Sequence, residues 1–172
     1  MKLSVIVFLI FFAQSAVCHE VGLPDGSSFS LTSFNPDTHI AEFDGKMSIS
    51  GRFVFYWEIF DYEPKYLSLS FFPKTKDLLM LPYVKGPTLK SKANEIYLNY
   101  TQEQARRLIG DDLYQKLLNK KLLRLDGNAV ITINQFSTGI DCDQRWFVAD
   151  IMSVNKVSDV GKASNLSVTS SC

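Results

Sequence analysis

The stretch MSISGRFVFYWEI, Met47 to Ile59, decides the fold. Its apolar residues fall on alternate positions: Met47, Ile49, Gly51, Phe53, Phe55, Trp57 and Ile59 on one side, Ser48, Ser50, Arg52, Val54, Tyr56 and Glu58 on the other. Side chains of a strand point alternately to its two faces, so a period of two over thirteen residues predicts a long strand with one face toward a core. Gly51 in the middle marks a bulge or a tight bend, the device by which a strand curves round a small barrel.

Working outward, a second alternating run spans Tyr66 to Phe72, with Leu67, Leu69 and Phe71 on one face, and Pro73 stops it. The linker Asp61–Lys65 is short enough to make the two runs antiparallel neighbours. Leu78 to Leu81 reads as a short strand ended by Pro82, and Glu95 to Asn99 resumes strand character through Ile96 and Leu98. Thr101 with Gln104 three residues on is a capping box, so a helix starts at Gln102. Ala105, Leu108, Ile109, Leu113 and Leu117 give it one apolar stripe, and the reading is a helix over 102–120, kinked at Gly110, where Asp112 and Gln115 repeat the capping spacing. Leu122 to Phe136 is either a hairpin turning at Asp126-Gly127 or one strand bent at Gly127. The D-G pair favours the hairpin; the constant parity of Leu123, Leu125, Ala129, Ile131 and Ile133 favours the bent strand. Trp146 to Val157 alternates once more.

The first eighteen residues, MKLSVIVFLIFFAQSAVC, carry one positive charge, an apolar run from Val5 to Ala13, and small residues at Ala13, Ser15 and Ala16. That is the pattern of a secretory signal peptide, and the run is well short of the roughly 20 residues of a spanning helix. Cleavage after Cys18 or after Ser15 fits the small-x-small rule, with Cys18 preferred. A lipidated Cys18 is disfavoured, because a bacterial lipidation box wants Leu three positions earlier and Gly or Ala immediately before, where this chain has Ser15 and Val17. Removing residues 1–18 leaves 154 residues, the size of one domain, and 17 basic against 18 acidic side chains. Such a balance builds no field for nucleic acid, and no later segment reads as a membrane span. The expected organisation is a signal peptide (1–18), an irregular Gly/Pro/Ser-rich arm (19–44), a β-rich domain (45–157) and a flexible tail (158–172).

On that cut two cysteines, Cys142 and Cys172, share an oxidising compartment, which predicts a disulfide between them, a free or intermolecular thiol being the other reading. A nucleophilic Cys142 is disfavoured: Asp141 and Asp143 raise the cost of a thiolate, with Arg145 the one compensating charge nearby. A metal site at Asp141, Cys142 and Asp143 lacks partner ligands at a suitable spacing.

Three strands, a helix, then two strands, the first long and bent at a glycine, resembles the OB-fold, a five-stranded Greek-key barrel. The resemblance covers roughly Met47 to Val157 and implies a mainly β domain with one helix (α+β), a small antiparallel barrel with the helix between its third and fourth strands, in a secreted or periplasmic, bacterial setting. It also implies a ligand face on the outside of the second and third strands and in the loops joining strands one to two and four to five. Those positions hold Tyr62, Tyr66 and Phe72 on one side and Ser137 to Arg145, with Asp141, Asp143 and Arg145, on the other. Exposed aromatics beside Arg and Asp suit a sugar or a peptide. The alternative for Tyr66 and Phe72 is packing beneath the arm or the insertion 83–94.

The chain carries no G-x-S-x-G, H-E-x-x-H, C-x-x-C or phosphate-binding Gly-rich loop after the signal. The favoured function is therefore a non-catalytic binding module for a sugar, peptide or protein partner, without a cofactor; the alternative is a protein-partner role as inhibitor, immunity protein or envelope-assembly component. A copper enzyme using the amine of His19 with the rings of His19 and His39 is a lesser possibility, as is a carboxylate pair drawn from Glu58, Asp61, Glu63, Asp141 and Asp143. Asn99-Tyr100-Thr101 and Asn165-Leu166-Ser167 match glycosylation acceptors, which matter in a eukaryotic host.

Overall fold

The computed structural model describes residues 21–85, 94–141 and 144–161, and only the backbone at Asp141. The signal segment, His19, Cys142, Asp143, Cys172, the Asn165 sequon and the tail beyond Gly161 lie outside the described residues, and with them the proposed disulfide and copper site. In chain order the elements are β1 (Val21–Gly22), β2 (Phe29–Asn35), β3 (Ile40–Phe60), β4 (Glu63–Pro73), α1 (Thr75–Leu78), β5 (Tyr83–Val84), β6 (Ile96–Asn99), α2 (Gln102–Ile109), α3 (Asp111–Leu118), β7 (Arg124–Asp141) and β8 (Gln144–Gly161). The protein is mainly β, with three short helices and a six-stranded mixed sheet in the order β2-β3-β4-β6-β8-β7. A further pairing of β3 with β7 brings the end of that order back to its second strand. All pairings are antiparallel except β6 with β8, which is parallel.

The long strand is paired on both edges over its middle. Gly51 faces Pro73 of β4 and Ala129 of β7, and an added Cβ there would collide with the backbone carbonyl of Phe72. Gly51 is thus a close-approach glycine, while the bulge expected near it falls six residues earlier: the register of β3 on β7 shifts between Phe43 and Lys46, around Gly45 with φ 137°. Of the odd-numbered residues of the opening stretch, Ile49, Phe53 and Phe55 build the core, Met47 and Trp57 are partly buried, and Ile59, beyond a register shift of β3 on β4, is 59% exposed. Phe53 and Phe55 are fully buried and pack edge to face at 6.1 Å, and Tyr100 stands edge-on to Phe55 at 5.3 Å. Ile49, Phe71, Ile96, Leu125 and Ile131 complete this layer, and Leu108 of α2 and Leu117 of α3 add to the same core. Burying each such side chain contributes about 1.5–3 kcal/mol relative to leaving it in water.

Asp126-Gly127 is no turn. β7 runs straight through it with Gly127 opposite Phe53, where a Cβ would sit 2.6 Å from the Phe53 ring. The glycine makes room for an aromatic ring, so the bent strand is the correct alternative.

Four expectations need correcting. The arm before residue 45 contains β2, and β3 begins at Ile40. Phe29 anchors β2 by packing on Phe136 at 5.4 Å, and Thr32 and Ser33 bond to Glu42 of β3, so a polar, loop-like composition conceals a paired strand. Leu78–Leu81 is no strand: the carbonyl of Lys74 accepts from the amides of Asp77 and Leu78, forming the single turn α1, and the Asp77 carboxylate accepts from the Ser50 amide and hydroxyl, both at 2.8 Å. The helix is two helices. Gly110, at φ 78°, breaks it, and α3 starts at Asp111 without a side-chain cap, so the second capping box is not used, whereas the Thr101–Gln104 box is formed. The tail begins later than expected, since β8 pairs with β7 as far as Gly161.

Candidate functional site

At its C-terminal third β3 forms the floor of a groove of about 560 Å³ lined by Tyr56, Trp57, Glu58, Ile59, Phe60, Tyr97, Leu123 and Arg124. Three elements meet there. β3 supplies Tyr56 and Glu58, β6 supplies Tyr97, and the connection from α3 into β7 supplies Leu123 and Arg124. Register places them: Tyr56 pairs with Arg124 across the β3–β7 edge and with Ser68 across the β3–β4 edge, and Ser70 pairs with Tyr97.

The polar groups are held in position. The Ser68 hydroxyl donates to the Glu58 carboxylate at 2.5 Å, and the Ser70 hydroxyl donates to the Tyr56 oxygen at 3.4 Å. The Trp57 indole N–H donates to the Leu117 carbonyl at 2.9 Å, and Lys120 lies over the indole ring at 5.2 Å while donating to the Pro64 carbonyl. Burial pushes the Tyr97 phenol up to about 12, with the nearby Glu95 charge adding to it, and raises that of Tyr56 for the same first reason. Both phenols therefore keep their protons near neutral pH and act as hydrogen-bond donors. One carboxylate, one guanidinium, two phenols and an indole with apolar neighbours suit a ligand that has hydrogen-bonding groups on one side and an apolar surface on the other.

The residues expected from the sequence are scattered. Tyr62 forms the β3–β4 turn and is 99% exposed; Tyr66 is 63% exposed and stands edge-on to Phe60 at 6.1 Å. Tyr66, against Phe60 and opposite Glu58, borders the groove, whereas Tyr62 does not line it. Phe72 lies six residues farther along β4, beneath the Arg52 guanidinium at 5.3 Å. Arg145 is committed elsewhere: its Nε and Nη2 donate to the Val84 carbonyl at 3.2 and 3.0 Å, its plane covers Tyr83 at 4.7 Å, and burial lowers its pKa. It ties β5 to the β7–β8 hairpin. Asp141 ends β7 next to that turn, beyond the positions that pair with the first residues of β3, whereas Tyr62 follows the last residue of β3. The two halves of the expected site therefore lie at opposite ends of one long strand.

Among the carboxylates considered for catalysis, Glu58 alone lines the groove; Asp61 is paired with Lys65 at 3.4 Å in the turn region. His39 is exposed in the β2–β3 turn at φ 52°. Among the described residues no group of three or more His, Cys, Asp or Glu could hold a metal ion, and no helix is long and apolar enough to cross a membrane. Asn99 is exposed and its amide donates to Asp150 at 2.8 Å.

Sequence reasoning named Glu58 only as one of several carboxylates and passed over Tyr56 and Tyr97, although alternation along β3 puts Tyr56 on the face opposite Phe53 and Phe55, and alternation along β6 puts Tyr97 on the face opposite Ile96 and Leu98. Arg124 carried no signal, because its place depends on how β7 returns to β3, and Leu123, expected on the inward face with Leu125, lies before the start of β7 and is 48% exposed. Compared with family models, with curated proteins and with solved structures, the chain finds no match.

Proposed function

We propose that this chain is an exported, non-catalytic binding module built on an OB-type barrel, with the groove over β3, β6 and the start of β7 as its ligand site. The circuit β3-β4-β6-β8-β7 and back to β3, with β6 parallel to β8 and the helices α2 and α3 between β6 and β7, supports the OB reading. The β2 strand, the small β1–β5 sheet and α1 are additions to that plan. Export, to the periplasm or outside the cell, is supported by the signal-like residues 1–18.

The observation that carries the binding reading is the fixed amphiphilic lining: Glu58 and Tyr56 held by Ser68 and Ser70, beside half-exposed Tyr97 and apolar Phe60 and Leu123. Aromatic rings with a few positioned polar groups fit a neutral saccharide or an extended peptide. The test is a glycan and peptide array read with the wild-type chain, Glu58→Gln and Tyr97→Ala. Binding that either substitution weakens at least tenfold supports the reading; silence across both arrays, or hits indifferent to both substitutions, refutes it. A protein-partner role is favoured separately by the exposed aromatics at the β3–β4 turn.

A further inference from the structure

Beyond Tyr56 the β3 strand has left β7, and before Ser70 the β4 strand has no ladder partner in β6. Among the described residues, Glu58 to Tyr66 thus have no strand partner but each other, forming a two-stranded ribbon touched at Pro64 by Lys120. Its turn is Asp61-Tyr62, with φ of 50° and 66°. Two successive positive φ values are the signature of the two-residue hairpin turn that favours Asn-Gly or Asp-Gly, so glycine is the expected residue at position 62. A tyrosine sits there instead, and it is 99% exposed. Among the described residues no contact of the Tyr62 side chain offsets that backbone conformation, and such strain points to a contact made outside the chain. Ile59 (59% exposed), Phe60 and Tyr66 flank it.

We propose that the occupant is a second copy of this chain: in a two-fold dimer, Tyr62 of each copy seats in the groove of the other and closes it. The inference rests on reading that groove as a binding surface and adds its regulation, since a ligand and the second copy would compete for it. Knob and hole belong to the same chain about four residues apart, roughly 13 Å along the strand, so one symmetry axis near Phe60 satisfies both contacts at once. The groove, about 560 Å³, has ample room for one phenol ring. Complete burial of the exposed parts of Ile59, Phe60, Tyr62, Tyr66 and Leu123 would remove at most roughly 600 Å² per copy, or about 1,200 Å² in a dimer, so the interface reaches no more than the low end of specific ones, as suits a displaceable contact. Strand-to-strand pairing is an unsuitable alternative, because Pro64 and the register shift between Glu58 and Ile59 blunt that edge.

Analytical ultracentrifugation of the full chain from 1 to 500 µM tests this. The wild type should dimerise with a Kd on the order of 10 µM. Tyr62→Gly should weaken the dimer at least thirtyfold while its melting temperature in dilute solution stays the same or rises, since glycine suits the turn. Tyr97→Ala should weaken it from the hole side. Mixing Tyr62→Gly with Tyr97→Ala should restore association, because one intact knob then meets one intact hole. A wild type monomeric at 500 µM, a Tyr62→Gly dimer as tight as the wild type, or a mixture that stays monomeric overturns the proposal. The Tyr62→Gly monomer, applied to the glycan and peptide arrays, separates the two readings: hits alongside a monomeric wild type sink the dimer and leave the ligand site, while a confirmed dimer with no hits sinks the ligand site alone.

Discussion

Replacing Gly51 by alanine perturbs the point at which β3 is pressed between two strands. The added methyl would lie 2.9 Å from the Phe72 carbonyl carbon and from Cε1 of Phe71, and nearer still to the Phe72 carbonyl oxygen. Two of those three atoms are backbone of β4, which is itself fixed by the register Gly51↔Pro73 and Arg52↔Phe72, so no side-chain rotation relieves the clash. Either β4 shifts outward or the Phe71 ring leaves its fully buried site. Overpacking of this kind costs about 3 kcal/mol, the upper part of the usual range, because backbone must move. For a domain of this size that is a fall of roughly 6–12 °C in Tm. Urea unfolding followed by Trp fluorescence measures it. Gly110→Ala is the contrast: nothing lies within 4 Å of its Cβ, and its cost, about 1–3 kcal/mol, comes from the glycine-favoured backbone at φ 78°, ψ 159° alone. A Gly51→Ala loss below about 1 kcal/mol would refute the steric reasoning.

Further outcomes follow from the same contacts. Tyr97 and Tyr100, both pushed up to about 12 by burial, should ionise well above the ordinary tyrosine range in an absorbance titration at 295 nm. Because the unfolded chain releases those protons near pH 10 and the folded chain near 12, their stabilising contribution is complete below pH 10 and is lost as pH rises to 12; stability that holds level across that interval would contradict it. Arg145→Lys should free β5: lysine cannot give two donors to the Val84 carbonyl and cover Tyr83 together, so the cost is about 1–2 kcal/mol with faster amide exchange at Tyr83 and Val84. Thr101→Ala removes the acceptor for the Gln104 amide and should lower stability by about 1 kcal/mol, with Thr101→Ser restoring most of it. The proposed Cys142–Cys172 bridge is tested by intact mass before and after reduction. Gly161 pairs with Gln144's hairpin only at its far end, opposite Asp126, some fifteen positions from Asp141, or about 50 Å along a straight strand. Residues 162–172 can extend over roughly 40 Å, so the bridge closes only if the hairpin curls enough to shorten that span.

Much of the β-sheet could be read from periodicity alone. Alternation at Met47–Ile59 and Trp146–Val157 located both long strands and their inward residues, since side-chain direction in a strand depends on parity and on nothing distant. Three failures share a cause. β2 was missed because Ser30, Thr32 and Ser33 look like loop residues until β3 provides their partners; α1 was missed because its helical turn is secured by Ser50, twenty-seven residues away; and the reach of β7 and β8 was set short because Ser137 to Ile140 and Ser158 to Gly161 read as loop and tail until the two strands pair with each other. Gly139 accommodates the Trp146 ring, which would lie 2.5 Å from an added Cβ. Of the site, Tyr62 and Tyr66 were legible as exposed aromatics, yet Arg145 was misjudged because a charge near aromatics reads alike whether it awaits a ligand or holds Val84 in place.

The groove exists only because β3 is flanked by β4 on one edge and β7 on the other, which brings Arg124 and Leu123 round to Tyr56. Native-state hydrogen exchange read by NMR tests that arrangement most directly. Amides of Gly51 to Tyr56 should be protected to nearly the full free energy of unfolding, while those facing away from β3 along β2 exchange by local opening. If Gly51 to Tyr56 instead exchange as freely as the outer edge of β2, β3 is not shared between β4 and β7, and neither the closed strand circuit nor the groove beside it stands.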